Sequence, residues 1–314
     1  MNLLVAIIGP TGVGKSGLGL RLARKFDGEI VSADSRQVYC GMDIGTAKPS
    51  REELFQVPHH LIDVINPDEE FSLAQYQQGA YQTIDDIQKR GQIPFLVGGS
   101  GLYVWAVIEG WQVPAVPPDH ALRRDLELMV DTIGVEGLYG ELLRVDPESA
   151  EKIDPRNARR IIRALEVAQK AGKDSSPQRG KQAPPYQTYI IGLTADRSIL
   201  YQRIDQRVDA LVAAGLVAEV EKLRQIGYDF TLPAMSSIGY RQINQFLKGE
   251  MTLVEATDRI KTETHRLARH QNAWFRKDDA RIHWFDIAGN PSVEIEAALA
   301  NFITKHREQE KGRL

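Results

Sequence analysis

The apolar run from Leu3 to Ile8 passes straight into Gly9-Pro10-Thr11-Gly12-Val13-Gly14-Lys15-Ser16, and this junction constrains the fold more than any other stretch. The spacing G-x-x-x-x-G-K-[ST] is that of a phosphate-binding loop. Its glycines let backbone N–H groups turn inward on a polyphosphate, and the helix that follows points its positive dipole end at the same charge. Lys15 adds a point charge, and Ser16 a hydroxyl for Mg²⁺. The helical pattern Leu18, Leu20, Leu22, Ala23 comes next, so a buried strand, a loop and a helix are predicted in that order.

The 314 residues and 42% hydrophobic content suit one large domain or a core with an insert. A single cysteine, Cys40, excludes an intramolecular disulfide framework and a cysteine-built zinc site, which points to a reducing compartment. The first strand leaves no room for a signal peptide, and no run approaches the roughly eighteen apolar residues of a membrane span, so a cytoplasmic protein is expected.

The same alternation continues over the first hundred residues. Strands are predicted at Glu29 to Ser32, His60 to Val64 and Ile93 to Val97, with helices over Lys15 to Phe26 and Ser72 to Arg90. Such a pattern makes a parallel sheet, which binds ligands at the carboxyl ends of its strands. The phosphate loop, Asp34 and Gly98-Gly99-Ser100-Gly101 all fall at strand ends and are expected to share one crevice. Pro114-Ala115-Val116-Pro117-Pro118 then punctuates the chain, and a helical insert follows to about Gly172, with a polar linker from Lys173 to Pro185. A strand over Thr188 to Leu193, helices over Ile199 to Ile226 and Val254 to Lys277, and a strand over Arg281 to Phe285 return the chain to the core. The domains expected are 1–115 and 186–314 as the two parts of an α/β P-loop NTPase-like core, a parallel sheet flanked by helices, with 116–185 as a helical insertion domain.

The net charge of −3 hides an uneven distribution. Residues 155–181 carry eight bases against two acids, and residues 259–277 six bases against Glu263. At about 100° per residue Arg156, Arg159, Arg160 and Arg163 fall on one helix face, with Ile161, Ile162 and Leu165 on the other. In the second zone Arg266, Arg269, His270 and Lys277 share a face, with Leu267, Trp274 and Phe275 turned away from it. Each zone alone is more often a solvated face, and together, flanking a phosphate-loop core, the two suggest contact with RNA.

These residues resemble the tRNA dimethylallyltransferases, also called tRNA isopentenyltransferases, over nearly the whole chain. The resemblance rests on the phosphate loop, Asp34-Ser35-Arg36-Gln37-Val38-Tyr39, Pro58-His59-His60-Leu61-Ile62-Asp63 and Gly98-Gly99-Ser100-Gly101-Leu102-Tyr103. It continues through Asn157-Ala158-Arg159-Arg160, Ile238-Gly239-Tyr240-Arg241 and Gln271-Asn272-Ala273-Trp274-Phe275-Arg276. It implies Mg²⁺-dependent transfer of a dimethylallyl group from dimethylallyl diphosphate to N6 of the adenine just 3′ of the anticodon in tRNA. Gly9 through Ser16, with Arg207, would then hold the diphosphate, and Asp34 would accept the amine proton, assisted by Ser100 and Lys15. The adenine must leave its stack to be reached, so Ser35, Arg36 and Gln37 would surround it, and Gln37 could read its edge. The resemblance also implies tRNA contacts at Asn157, Ala158, Arg159, Arg160 and Ile161, and at Arg123 or, if the match slips by one, Arg124.

Other readings stay open. Asp34 could bind metal or cap a helix, and Arg207 could form only a surface ion pair. His59 and His60 lack a third ligand and read as structural. A small-molecule kinase using the loop for ATP, a prenyltransferase acting on free adenylate, and a non-catalytic nucleotide-sensing RNA-binding protein are the rivals. A monomer is expected.

Overall fold

The computed structural model of the chain describes residues 2–114, 116, 118–171, 181–182 and 184–311. Its strands are β1 (Leu3–Ile8), β2 (Gly28–Ser32), β3 (His59–His60), β4 (Ile93–Val97), β5 (Gln187–Thr194) and β6 (Ile282–Asp286). They form one sheet in the order β3-β2-β4-β1-β5-β6, and every pairing is parallel. All six residues of β1 are buried, as a central strand covered by helices on both faces requires.

The helices of the first half are α1 (Lys15–Lys25), α2 (Arg51–Gln56), α3 (Leu73–Lys89) and α4 (Gly101–Glu109). Next come α5 (His120–Val145), α6 (Pro147–Ala150) and α7 (Ala158–Ala171). The last are α8 (Arg197–Ala213), α9 (Leu216–Gln225), α10 (Tyr240–Leu247), α11 (Leu253–Trp274) and α12 (Ser292–Lys311). Capping boxes at Ser50/Glu53, Ser72/Gln75 and Thr252/Glu255 start α2, α3 and α11 by satisfying the orphan first-turn amides.

The chain divides into two compact units, Met1–Gly110 with Ala183–Leu314, and Trp111–Gln182. The first unit contains the sheet and its core. The second packs α5, α6 and α7 around Leu126, Leu138, Leu142, Ile161 and Leu165. The linker expected over Lys173 to Pro185 lies at 173–180 and at 183 outside the described residues, as do Ala115 and Pro117 of the proline-rich stretch.

Several expected elements are corrected. The third strand ends at His60 rather than Val64, because Leu61 and Asp63 take left-handed φ values of 60° and 54°, which break an extended run. Lys48 fixes that turn by donating to the Asp63 carboxylate. The predicted helix over Ile199 to Ile226 is two, α8 and α9. Helix α11 stops at Trp274, so Lys277 does not share its basic face, and Leu267 (38% exposed) and Trp274 (36%) are not core, whereas Phe275 (2%) is.

The arginine face also changes. Helix α7 starts at Ala158, capped by Asn157, whose side-chain oxygen accepts from Arg160 N at 3.2 Å. Arg156 therefore precedes the helix and pairs with Asp154 (3.1 Å). Arg163 turns in to Glu166 (2.5 Å) and the Val116 carbonyl (2.9 Å). Arg159 and Arg160 remain on the surface without a partner among the described residues.

Candidate active site

The phosphate loop bends between the end of β1 and the start of α1, with Gly14 as the helix N-cap in the left-handed region at φ 100°. A pocket of about 230 Å³ opens there, lined by Gly12, Gly14, Lys15, Ser16, Gly17, Arg203 and Arg207. Two arginines four residues apart on α8 thus face the loop. Arg207 was expected; Arg203 was not, although its helical spacing from Arg207 is a signal the sequence carried. Lys15 Nζ donates to the Pro10 carbonyl (2.8 Å). Burial, then the Arg207 guanidinium, push its pKa down to about 7, with Asp34 pulling the other way. An anion in this pocket would restore the charge that desolvation disfavours.

A second crevice, of about 390 Å³, is lined by Thr11, Asp34, Ser35, Arg36, Ser100 and Arg207, together with Gly45, Thr46 and Gln271. Its remaining wall is largely apolar and includes Ile204, Val208, Leu211, Ile238, Ile260 and Leu267. Arg207 borders both spaces. One carboxylate oxygen of Asp34, Oδ1, accepts from Arg36 N (2.9 Å); the other is uncommitted among the described residues. The Ser100 hydroxyl accepts from Ser35 N (3.0 Å) and donates to Ser35 Oγ (3.3 Å), joining the two turns that follow β2 and β4. Beneath them Tyr76, fully buried, donates to the Ser32 carbonyl (3.1 Å) and stacks on Tyr103 with ring centroids 3.7 Å apart.

Gln271, on α11, belongs to the Gln271–Arg276 motif, and its side chain bridges two loops of the site. Its Oε1 accepts from Thr11 N (2.7 Å) and its Nε2 donates to the Gly99 carbonyl (3.0 Å). One side chain therefore staples the phosphate loop to the loop carrying Ser100. Gly99 must be glycine for this: a Cβ would lie 2.4 Å from Gln271 Nε2.

Other expected site residues are placed differently. The Gln37 amide is occupied inside its own turn, accepting from Ser32 Oγ (2.9 Å) and donating to the Ala47 carbonyl (3.2 Å), so it does not line the crevice. The Arg36 guanidinium donates to the Pro233 carbonyl (3.2 Å). In the second unit, Ile161 is fully buried, which withdraws its side chain from any surface contact, and Asn157 serves as the α7 cap. Arg123 makes a two-pronged bond to the buried Glu166 at 3.1 Å on each side; against burial, which raises it, Arg163 and then the Asp119 amide and Arg123 hold that carboxyl below its ordinary range. The adjacent Arg124 is exposed and without a partner among the described residues. His60 binds Glu29 (2.5 Å), which also holds Arg90, in keeping with a structural histidine.

Among the described residues no group of three His, Cys, Asp or Glu could hold a metal ion. The protein offers Ser16, whose exposed hydroxyl opens α1 with no hydrogen-bond partner among the described residues. That suits Mg²⁺, which commonly takes few protein ligands and completes its shell with water and substrate phosphate oxygens. No helix among the described residues is long and apolar enough to cross a membrane.

Residues 37–278 match the family described as IPP transferase, and residues 2–66 match Isopentenyl transferase. The tRNA dimethylallyltransferase of Roseiflexus sp. (strain RS-1) is 54% identical over 274 residues, covering 87% of this chain and 90% of that protein. That of Dehalococcoides mccartyi is 46% identical over 300 residues, covering 96% and 92%. Among solved structures, the full-length tRNA isopentenylpyrophosphate transferase of Bacillus halodurans superposes with a TM-score of 0.73 at 41% identity, covering 99% of this chain and all of that one. A eukaryotic dimethylallyltransferase captured acting on tRNA gives 0.77 at 26% identity, covering 97% and 80%.

Proposed function

The chain belongs to the IPP transferase family of tRNA dimethylallyltransferases, and from that premise we propose how its two pockets divide the reaction. It transfers a dimethylallyl group from dimethylallyl diphosphate to N6 of the adenine 3′-adjacent to the anticodon in tRNA. The diphosphate sits on the loop from Gly9 to Ser16, facing Lys15, Arg203 and Arg207, and the prenyl group lies along the apolar wall of the neighbouring crevice. The observation that carries this reading is Arg207, which borders both the anion pocket and the crevice holding Asp34 and Ser100. These relatives do not favour the kinase, free-adenylate or nucleotide-sensing readings.

The allylic C1–O bond breaks as the N6–C1 bond forms, and the electron pair leaves with the diphosphate. Loop amides, Lys15 and Arg207 stabilise the charge that develops there. Mg²⁺, held by Ser16 and the diphosphate itself, would supply further positive charge on the leaving group. The adenine amine is a weak nucleophile because its lone pair is delocalised, so a base must take its proton as the new bond forms. The free oxygen of Asp34 would take it, a reading supported by the crevice it lines and by its other oxygen being held by Arg36 N. Ser100 keeps the turn in register and can donate to a phosphate oxygen once released from Ser35. On the second unit, Arg159, Arg160 and Arg124 are exposed and without a partner among the described residues, and they would meet tRNA phosphates.

The test is incubation with labelled dimethylallyl diphosphate, Mg²⁺ and unmodified tRNA, with AMP in a parallel reaction and nuclease digestion to locate the label. Label at N6 beside the anticodon is expected; label in AMP, or none in either with ATP bound tightly, would overturn the reading. Replacing Asp34 by Asn is expected to lower turnover by about 10²- to 10⁴-fold with tRNA affinity retained. Lost tRNA binding with normal turnover would refute the assignment of the base.

A further inference from the structure

Glu219 lies on α9, outside every motif of the site. Its carboxylate nonetheless gathers the backbone N–H groups of three consecutive residues: Asp43 (2.9 Å) and Ile44 (2.7 Å) on Oε2, and Gly45 (3.0 Å) on Oε1. Oε1 also accepts the Tyr240 hydroxyl (2.7 Å). Three successive amides converging on one point make a nest that favours an anion. Here the protein fills the nest with its own carboxylate, so what is fixed is the loop. That loop is crevice wall, since Gly45 and Thr46 line the space beside Asp34.

The loop has no slack. Gly45 presses on Tyr240 so closely that a Cβ would sit 2.4 Å from the ring. Ala47 is held at φ 47°, a left-handed conformation that is strained for a non-glycine residue and persists only where its surroundings impose it. Lys48, its side chain only 5% exposed, ties Asp43 (2.7 Å), Asp63 (2.5 Å) and the Tyr39 carbonyl (2.7 Å) together. From Ala47 the order passes to Gln37, which donates to the Ala47 carbonyl, and from Gln37 to Ser32 at the end of β2, two residues before Asp34.

We propose that Glu219 is a positioning residue for the acceptor half of the reaction. Its carboxylate sets the Gly45–Thr46 wall against which the adenine lies when N6 faces Asp34. The assignment rests on the role given to Asp34 above. It requires that Glu219 govern the use of tRNA while leaving the diphosphate pocket alone, because none of its partners belongs to the phosphate loop.

Glu219→Gln tests this with little change of shape. The amide keeps one acceptor but turns the other oxygen into an NH₂ donor, which repels the amides it must face. The variant is expected to stay folded by circular dichroism and to bind a non-reacting thio-analogue of the prenyl diphosphate as wild type does. It is expected to lose about ten- to a hundred-fold in kcat/KM for tRNA, the penalty of a reacting group misplaced by about an ångström. Amide exchange over residues 43–45 is expected to accelerate. Tyr240→Phe, which leaves the three amide bonds in place, is expected to stay close to wild type. An unchanged kcat/KM for tRNA in Glu219→Gln overturns the proposal. So does an equal loss of donor affinity together with thermal stability, which would mark a residue of general folding importance. Wild-type protein that transfers no prenyl group to tRNA sinks the functional reading and this role with it, whereas normal wild-type transfer with unaffected Glu219→Gln sinks only the role of Glu219.

Discussion

Donor affinity is expected to fall steeply as pH rises past neutrality, because Lys15 is held at the edge of its charged state. Its ammonium is held against the phosphate loop by the Pro10 carbonyl, and burial, followed by the Arg207 guanidinium, lowers its pKa from 10.5 to about 7, against a smaller pull from Asp34. The group is thus charged below about pH 7 and neutral above it in the free enzyme. A diphosphate bound beside it favours the charged form and raises the pKa again. Above neutrality each binding event must therefore draw one proton from solution, and the affinity present in full below the lowered pKa is lost as pH climbs through it. With a single site at about 7, the protonated fraction falls from one half to about one hundredth by pH 9, so affinity is expected to drop about fifty-fold. The terminal phosphate of the ligand ionises near 6 and contributes little over that window.

The assay is calorimetric titration of the thio-diphosphate analogue between about pH 6.5 and 9, in pairs of buffers with different ionisation heats, so that proton uptake is counted directly. Lys15→Arg supplies the control, since a guanidinium stays charged throughout and is expected to flatten the profile even if its affinity is lower. A wild-type affinity that does not change with pH, or titration heats independent of buffer, would refute the reasoning: Lys15 would then be charged in the free enzyme.

Arg159→Ala with Arg160→Ala is expected to weaken tRNA binding and to reduce the slope of log affinity against log salt by about 1.5, two phosphate contacts' worth; an unchanged slope would show only a solvated helix face. Gln271→Leu strands the Thr11 amide and the Gly99 carbonyl, a loss of two bonds each worth about 1 kcal/mol. Turnover is expected to fall about ten- to thirty-fold with the affinity for each substrate nearly intact, and kinetics showing only a raised KM would contradict the stapling role.

The parts of the site legible in the sequence are those carried by a strand and the turn after it. In a parallel sheet the carboxyl ends of β1, β2 and β4 lie side by side, so the phosphate loop, Asp34 and Ser100 had to converge once these strands were recognised. The readings that failed depended on where an element stops. His60 to Val64 has a strand's composition, yet Leu61 and Asp63 turn left-handed because Lys48, fifteen residues earlier in the chain, claims the Asp63 carboxylate. The arginine face requires a helix that includes Arg156, and the Asn157 cap starts it beyond that residue. Helical projection also says nothing of partners. Arg163 and Arg123 both point at Glu166, a buried anion within the insert, and are spent there.

What no local pattern could show is how the reacting groups acquire their spacing. The phosphate loop, Asp34 and Ser100 lie within the first hundred positions, but Arg207 and the side chains proposed to set the spacing of donor and acceptor lie on helices packed later in the sequence. Gln271 joins Thr11 across 260 residues, and Glu219 reaches Gly45 across 174. Neither residue type nor its neighbours announces such a role, because a glutamine or a glutamate on a helix is most often solvated surface. The two sets therefore respond differently to substitution. Under the proposed roles, changes at Lys15 or Asp34 would remove a charge or a base, whereas changes at Gln271 or Glu219 would leave every reacting group present and alter only where it stands. Displacement of that kind is expected to appear in kcat for Gln271, which joins the phosphate loop to the Gly99 turn, and in kcat/KM for tRNA for Glu219, whose partners are the 43–45 loop and Tyr240.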